Sequence, residues 1–291
     1  MRFFDLHCDT PYEAYKTGEP FYDGRLAVNM CRGTVFERWC QVCALWIPDE
    51  CRGAKNRYKE MLQNFKRQLP TVTDTAAGLD SDNAFLLSLE GGAVIDDVSD
   101  VDALWQDGIR VITLTWNGKN RLAGGANTNE PLTELGRAVI SRMNELSMAV
   151  DLSHLNDRSF FEVLDEARYV LATHSCCRSV YHVRRNLTDE QIIKIKEKNG
   201  IIGLCLYPRF LGEENVFSAF HSHLSHIVER VGEDCVAIGS DFDGARLDER
   251  LDSLDKIPLL HSFLQEIGWK EETLDKLFYS NAYNFFKGLL K

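Results

Sequence analysis

"LTDEQIIKIKEKNGIIGLCLY", residues 187–207, runs a helix straight into a strand. Thr188 can cap the helix, Asp189 and Glu190 sit in its first turn, lysines gather towards its end, and Gly200 offers a stop. Residues 201–206 are a short apolar run of the kind buried on both faces of a parallel sheet. The same alternation extends in both directions. Strand candidates lie at 3–8, 40–47, 84–89, 110–115, 148–153, 169–173, 201–206 and 235–240, with helical patterns at 53–68, 98–107, 131–146, 157–167, 188–199, 215–231, 253–267 and 271–288. Strands separated by helices, with no linker breaking the series, predict one parallel sheet. Eight repeats favour closure, so the fold class expected is α/β, a single (β/α)8 TIM-type barrel occupying 1–291 as one domain. An open doubly wound sheet would want a G-x-G-x-x-G turn after an early strand, and neither "SLEGGAVIDD" nor "RLAGGAN" supplies one.

Barrels of this kind place their chemistry at the C-terminal ends of the strands. Read there, the sequence offers His7 and Asp9, Glu90, Trp116 and Asn117, His154, His174, Tyr207 and Asp241, while the second strand, ending near Pro48, contributes nothing. His7 and Asp9 are two apart in extended chain and so can share a face. Imidazoles and carboxylates delivered to one mouth by separate apolar runs are costly to bury unpaired, which predicts convergence on a cation. Three His and three carboxylates would crowd one ion, whereas two neighbouring ions would use them all. The mixed set suits zinc best, with manganese or iron admissible.

Composition narrows the remaining classes. A hydrophobic fraction of 44% and a charged fraction of 26% are those of an ordinary globular chain. The net charge of −11 argues against nucleic acid or an anionic membrane as partner, and the one dense basic stretch, "HVRRN" at 182–186, is short. No apolar run has the length of a membrane span, and "MRFFDLHCDT" lacks the pattern of a signal peptide. Nine cysteines at irregular spacing read as reduced thiols and a cytoplasmic location, with Cys40 and Cys43 in a buried strand rather than in a zinc knuckle. His221, His223 and His226 share an amphipathic helix with Phe220, Leu224 and Ile227 and are expected to stay out of the site. Oligomeric state is left open, a homodimer included.

"DLHCDTP", "LSLEGG", "VDLSH", "THSCCRSVYHVRRNLTDEQI", "GIIGLCLY" and "IGSDFDG" resemble, in order, the signatures of the membrane (renal) dipeptidase family of zinc peptidases within the amidohydrolase superfamily. The resemblance implies a metallo-dependent hydrolase barrel and a dipeptide substrate. It implies that His7 and Asp9 ligate a first zinc, that Glu90 bridges two zincs, and that His154 and His174 ligate the second. It further implies that Asp241 is the acid/base, that Arg185 anchors the substrate's C-terminal carboxylate, and that Tyr207 touches substrate. An Arg fork suits a carboxylate on chemical grounds, although Arg184 and Arg185 could equally be solvated partners of Asp189 or Glu190.

One departure stands out. Where many members carry a His after the fourth strand, "LTLTWNGKN" has Trp116, which offers only an indole N–H or an apolar wall, with Asn117 beside it as a donor. The function expected is hydrolysis of dipeptides by a hydroxide bridging two zincs. The alternatives are another hydrolase of the superfamily, acting on a lactone, an amide or a deaminase substrate, or a catalytically silent metal-binding barrel. Many relatives of the first kind bridge their metals with a carboxylated Lys. No Lys ends a strand here, Lys119 lying in a Gly-rich loop.

Overall fold

The computed structural model describes residues 1–69, 71–212 and 215–291. Its sheet is a closed barrel of parallel strands in sequence order. These are β1 (Arg2–Cys8), β2 (Arg38–Trp46), β3 (Asn83–Glu90), β4 (Ile109–Thr113), β5 (Ala149–Asp151), β6 (Val170–Ser175), β7 (Ile201–Leu204) and β8 (Val236–Ile238). A parallel pairing of Asp5 with Ile238 closes β8 onto β1. Residues within the strands are buried almost throughout, because helices cover the outer face and side chains fill the inside.

Alternate positions divide the core. Phe4, Leu6, Cys40, Val42, Ala84, Leu86, Val111 and Leu171 cluster together, plugged by Tyr279 and Phe286 from the C-terminal segment. Their neighbours Phe3, Trp39, Cys43, Phe85 and Ile112 pack with the surrounding helices. Phe4 stacks on Phe286 at 5.3 Å between ring centroids. Glycine is needed where the barrel tightens: a Cβ on Gly203 or Gly239 would lie 2.0 or 1.7 Å from the carbonyl oxygen of Thr173.

The helices follow the predicted pattern with physical exceptions. Thr188 forms a full capping box with Gln191 at the start of Asp189–Glu197, but Asn199, at φ 55°, takes the left-handed stop expected of Gly200. Gly200 serves instead where a Cβ would come within 2.6 Å of the Val170 carbonyl. The 271–288 pattern is Glu271–Asp275, a π-turn Lys276–Ser280 and Asn281–Leu289. An unforeseen helix, Thr10–Thr17, begins immediately after β1 with Pro11 in its first turn, the place where a missing N–H costs nothing. Strands β5 and β8 end earlier than their apolar runs suggest, since the chain leaves the ladder to carry His154 and Asp241 at φ 69° and 65°.

Candidate metal centre

His7 is the penultimate residue of β1, Glu90 ends β3 and His174 belongs to β6, while Asp9, His154 and Asp241 stand just beyond β1, β5 and β8. All six are buried. Glu90 occupies the middle. Its Oε2 lies 3.3 Å from His7 Nε2, and its Oε1 lies 2.8 Å from His154 Nε2 and 3.9 Å from His174 Nε2. On the first side, His7 Nε2 is 3.4 Å from Asp9 Oδ2 and 4.0 Å from Asp241 Oδ1. Two ligand-sized groups emerge, His7 with Glu90 and His174, and His7 with Asp9 and Asp241, each with its donor atoms within 4.8 Å of one another. Asp241, counted among the convergent carboxylates and cast by the resemblance as the acid/base, stands in the second of these groups.

The outer partners decide which atoms face inward. Asn117 Oδ1 accepts from His154 Nδ1 at 2.9 Å. Thr173 Oγ1 gives its one proton to Asp151 Oδ2 at 2.7 Å, so at 2.8 Å it can only accept from His174 Nδ1. Both imidazoles thus carry their N–H outward and direct Nε2 lone pairs at each other, 2.8 Å apart. Two facing lone pairs repel unless an electron-poor species lies between them. His7 Nε2, Asp9 Oδ1 and Glu90 Oε2 are buried without a hydrogen-bond partner. Orphaned acceptors of this chemistry, with outward N–H groups held by an amide and a hydroxyl, fit divalent metal ions.

Electrostatics agree with that fit. Burial, then the Glu90 charge, pushes the Asp9 carboxyl up to about 6. Burial also raises Asp241 well above the usual carboxylate range, with Asp9 and Glu90 adding to it against the pull of His7 and Arg185. His154 and His174 are held well below an ordinary imidazole by burial, with Arg185 and His7 respectively next in importance. For His7 burial works against protonation, but Glu90 and Asp9 outweigh it and raise its pKa well above the ordinary value. The carboxylates strain against one another, and a cation would relieve all of them.

The backbone is bent to make this possible. His154, Asp241 and Asp243 all have positive φ, a conformation that costs a non-glycine residue about 1 kcal/mol or more and persists only where surrounding structure enforces it. A Cβ on Gly244 would lie 2.0 Å from Asp9 Oδ2 and 2.5 Å from Asp241 Oδ1, so only glycine lets the "DFDG" turn close over the acids. Asp5 beneath the site accepts from the His7 and Ser240 amides, the Ser240 hydroxyl and Gln41, fastening β1 to β2 and to the end of β8.

The centre opens into a cleft of about 1100 Å³ whose lining includes Trp116, Asn117, Arg185 and Tyr207. Arg185 forms no pair with Asp189, which is engaged by His226 and Arg230. Its guanidinium lies 5.1 Å over the Phe210 ring, its Nη2 donates to the His174 carbonyl at 3.4 Å, and its Nε is buried without a partner. Tyr207 packs edge-on against Phe210 at 5.0 Å. Asn117 accepts from His154 through its Oδ1, which leaves its Nδ2 as the amide's donor in the cleft lining. Lys119 pairs with Glu130 at 3.5 Å, outside the centre. Of the helical histidines, His223 is buried against Cys177 and Leu211, and none of the three lines the cleft.

The second strand does contribute, contrary to the sequence reading. Asp49, three residues past β2, accepts from the amides of Trp116 and Gly118 at 2.9 and 2.8 Å and from the Asn120 side chain at 3.2 Å. It thereby sets the loop from which Asn117 orients His154. An acid directly after a strand-ending Pro48 was the available signal. Trp46 closes β2 and lines the same cleft.

Similarity to known proteins converges on the same reading. The profile of the family described as Membrane dipeptidase (Peptidase family M19) matches residues 53–289. An uncharacterised protein encoded in the pqqA 5′ region of Klebsiella pneumoniae is 31% identical over 222 residues, covering 71% of this chain and 82% of that one. Dipeptidase 3 of Rattus norvegicus is 30% identical over 236 residues, 76% of this chain and 48% of its own length, so the chain spans about half of that relative. Two crystal structures superpose with a TM-score of 0.90 at 26% identity. One is the metallopeptidase dipeptidase AC, with coverage of 99% and 98%; the other is a metallopeptidase from Rhodobacter sphaeroides bearing a phosphinate mimic of the dipeptide L-Ala-D-Ala, with 99% of both chains covered. With a closed parallel barrel, a buried cluster of imidazoles and carboxylates at its mouth and a family match over most of its length, the chain belongs to the membrane dipeptidase family, peptidase family M19, and is a metallo-dipeptidase.

Proposed function

We propose that residues 1–291 act as one catalytic domain, a two-zinc dipeptidase in which His7, Asp9 and Glu90 would hold one ion and Glu90, His154 and His174 the other. The reading is carried by Glu90, whose two oxygens face separate donor groups. Zinc is favoured because three imidazoles mix with carboxylate oxygens. Bound there, the ions would bring the pKa of water from 15.7 to about 7, supply the nucleophile at neutral pH and polarise the scissile carbonyl.

The chain's own groups do the rest. Asp241, whose burial favours the protonated form, accepts a proton from the attacking water and returns it to the departing amine. Arg185 grips the free C-terminal carboxylate in a planar fork, which orients the peptide bond over Glu90 and restricts the site to short substrates. Trp116 walls the cleft, and Tyr207 flanks the Arg185 side. The dipeptide mimic bound by the Rhodobacter metallopeptidase supports this substrate class. No helix among the described residues is long and apolar enough to cross a membrane, and the nine unpaired cysteines support a reducing compartment such as the cytoplasm.

The test is a hydrolysis screen over a dipeptide library, run on chelated protein and on protein titrated with zinc, with metal content measured alongside. Activity should vanish with chelation and return as the second equivalent of zinc binds. Full activity with one ion per chain would overturn the two-zinc assignment. A loaded protein that cleaves no dipeptide would overturn the substrate class.

A further inference from the structure

The mouth of the cleft is divided by chemistry. The loops after β6, β7 and β8 bring Arg184, Arg185, Arg209 and Arg246 to one side. The other side, from the ends of β1, β2 and β4, is a wall of Tyr12, Trp46 and Trp116, with Tyr12 edge-on to Trp46 at 4.8 Å and Trp46 edge-on to Trp116 at 5.3 Å. Neighbouring arginines are neutralised, Arg178 by Asp157, Arg230 by Asp189 and Arg250 by Asp248. Among the described residues none of the four at the mouth has an ion-pair partner. The acids within the rim are committed elsewhere: Glu13 to Lys16, and Asp243 to the Thr10 hydroxyl and the Ala27 and Val28 amides.

One fork satisfies one carboxylate. Three further guanidiniums, those of Arg184, Arg209 and Arg246, are exposed around it in a chain whose net charge is −11. Surplus cations around a concavity concentrate the field and draw anionic ligands. We propose that the site prefers dipeptides with an acidic C-terminal residue and an apolar N-terminal one, the side-chain carboxylate meeting Arg184, Arg209 and Arg246 and the N-terminal side chain lying on the Tyr12–Trp46–Trp116 wall. The assignment rests on the dipeptidase reading above. If Arg185 holds the terminal carboxylate, the C-terminal residue must sit on the arginine side and the N-terminal residue must extend towards the aromatic one.

The experiment compares kcat/KM of zinc-loaded protein for Leu-Glu, its isostere Leu-Gln, Leu-Ala and Lys-Glu, each in both configurations at the C-terminal residue, in the intact chain and in the double variant Arg209→Gln, Arg246→Gln. Both substituted positions are exposed, so folding is not at stake. Leu-Glu should exceed Leu-Gln by about tenfold, the worth of one charged hydrogen bond, and should exceed Lys-Glu. In the double variant that first ratio should fall to within about twofold, as expected when only weak exposed charges remain, with the loss falling mainly on Leu-Glu rather than on Leu-Gln or Leu-Ala. Equal rates for Leu-Glu and Leu-Gln in the intact chain, or a ratio untouched by the double variant, overturn the specificity inference and leave the dipeptidase reading standing. Failure to cleave any of the peptides, Leu-Ala included, overturns both.

Discussion

The two oxygens of Glu90 look into unlike surroundings. Oε2 faces His7, Asp9 and Asp241, a group rich in carboxylates in which the lone imidazole is driven towards its charged form. Oε1 faces His154 and His174, two imidazoles that burial keeps neutral. On the two-ion proposal the acid-rich half would attract a cation through net charge, and its geometry depends on close backbone approach, with Gly244 folded against Asp9 and Asp241 and the Asp9 amide bonded to the Phe242 carbonyl at 2.8 Å. The imidazole half would attract one through lone pairs, and depends on side chains from other strands to turn the rings the right way. One half is built by tight turns, the other by neighbours, and damage to each should look different.

The sharpest test of the comparison removes what the halves share. Glu90→Gln should empty both together and lower kcat/KM by about 10³-fold or more, since several kcal/mol of carbonyl and nucleophile activation go with the ions. Elemental analysis that finds both ions retained would end the bridging assignment. Next in size is Asp241→Asn, which keeps an oxygen beside His7 but deletes the titrating group. Its kcat should fall by about 10²-fold, the usual worth of acid–base catalysis, with metal content largely intact. Near-normal turnover would move the proton to another group.

Asn117→Ala separates the halves. Without its acceptor, His154 loses the partner that fixes its tautomer, and affinity for one ion should weaken by about 10- to 100-fold while the acid-rich half is unchanged. Competitive zinc titration resolving the two binding steps checks this, and equal weakening of both would mean the halves are not independent. The smallest effect at neutral pH belongs to His223, outside both halves. Burial lowers its pKa to about 4, against the helping bond to Leu211, and its Nδ1 accepts from the Cys177 amide at 3.0 Å. The unfolded chain binds a proton at this His near 6.5, the folded one only near 4, so stability present above 6.5 is lost as pH falls through that window. The loss should reach about 3 kcal/mol. Melting curves across that range should show a shallower decline in His223→Gln, and identical declines would assign the loss to carboxylates instead.

Much of this was legible in the chain. Apolar runs of uniform character separated by capped helices require a parallel sheet, and eight of them in sequence order suffice for a barrel. His7, Asp9, Glu90, His154, His174 and Asp241 could be found because each follows such a run, and the barrel brings strand ends together whatever lies between them. The acid after Pro48 was visible but its role was not legible, since Asp49 holds the loop after β4 from the loop after β2, a pairing no spacing announces. Nor was Asn117's, because whether an amide faces substrate or a neighbouring ring depends on where that ring turns. The sequence by itself determined the architecture and which candidate donors would meet, both consequences of local periodicity and of the rule that strand ends meet at one mouth. Only the tertiary structure decided which atoms face one another, the split of the mouth into arginines and aromatics, and the positive φ of His154 and Asp241, since these arise from contacts between loops far apart in the chain.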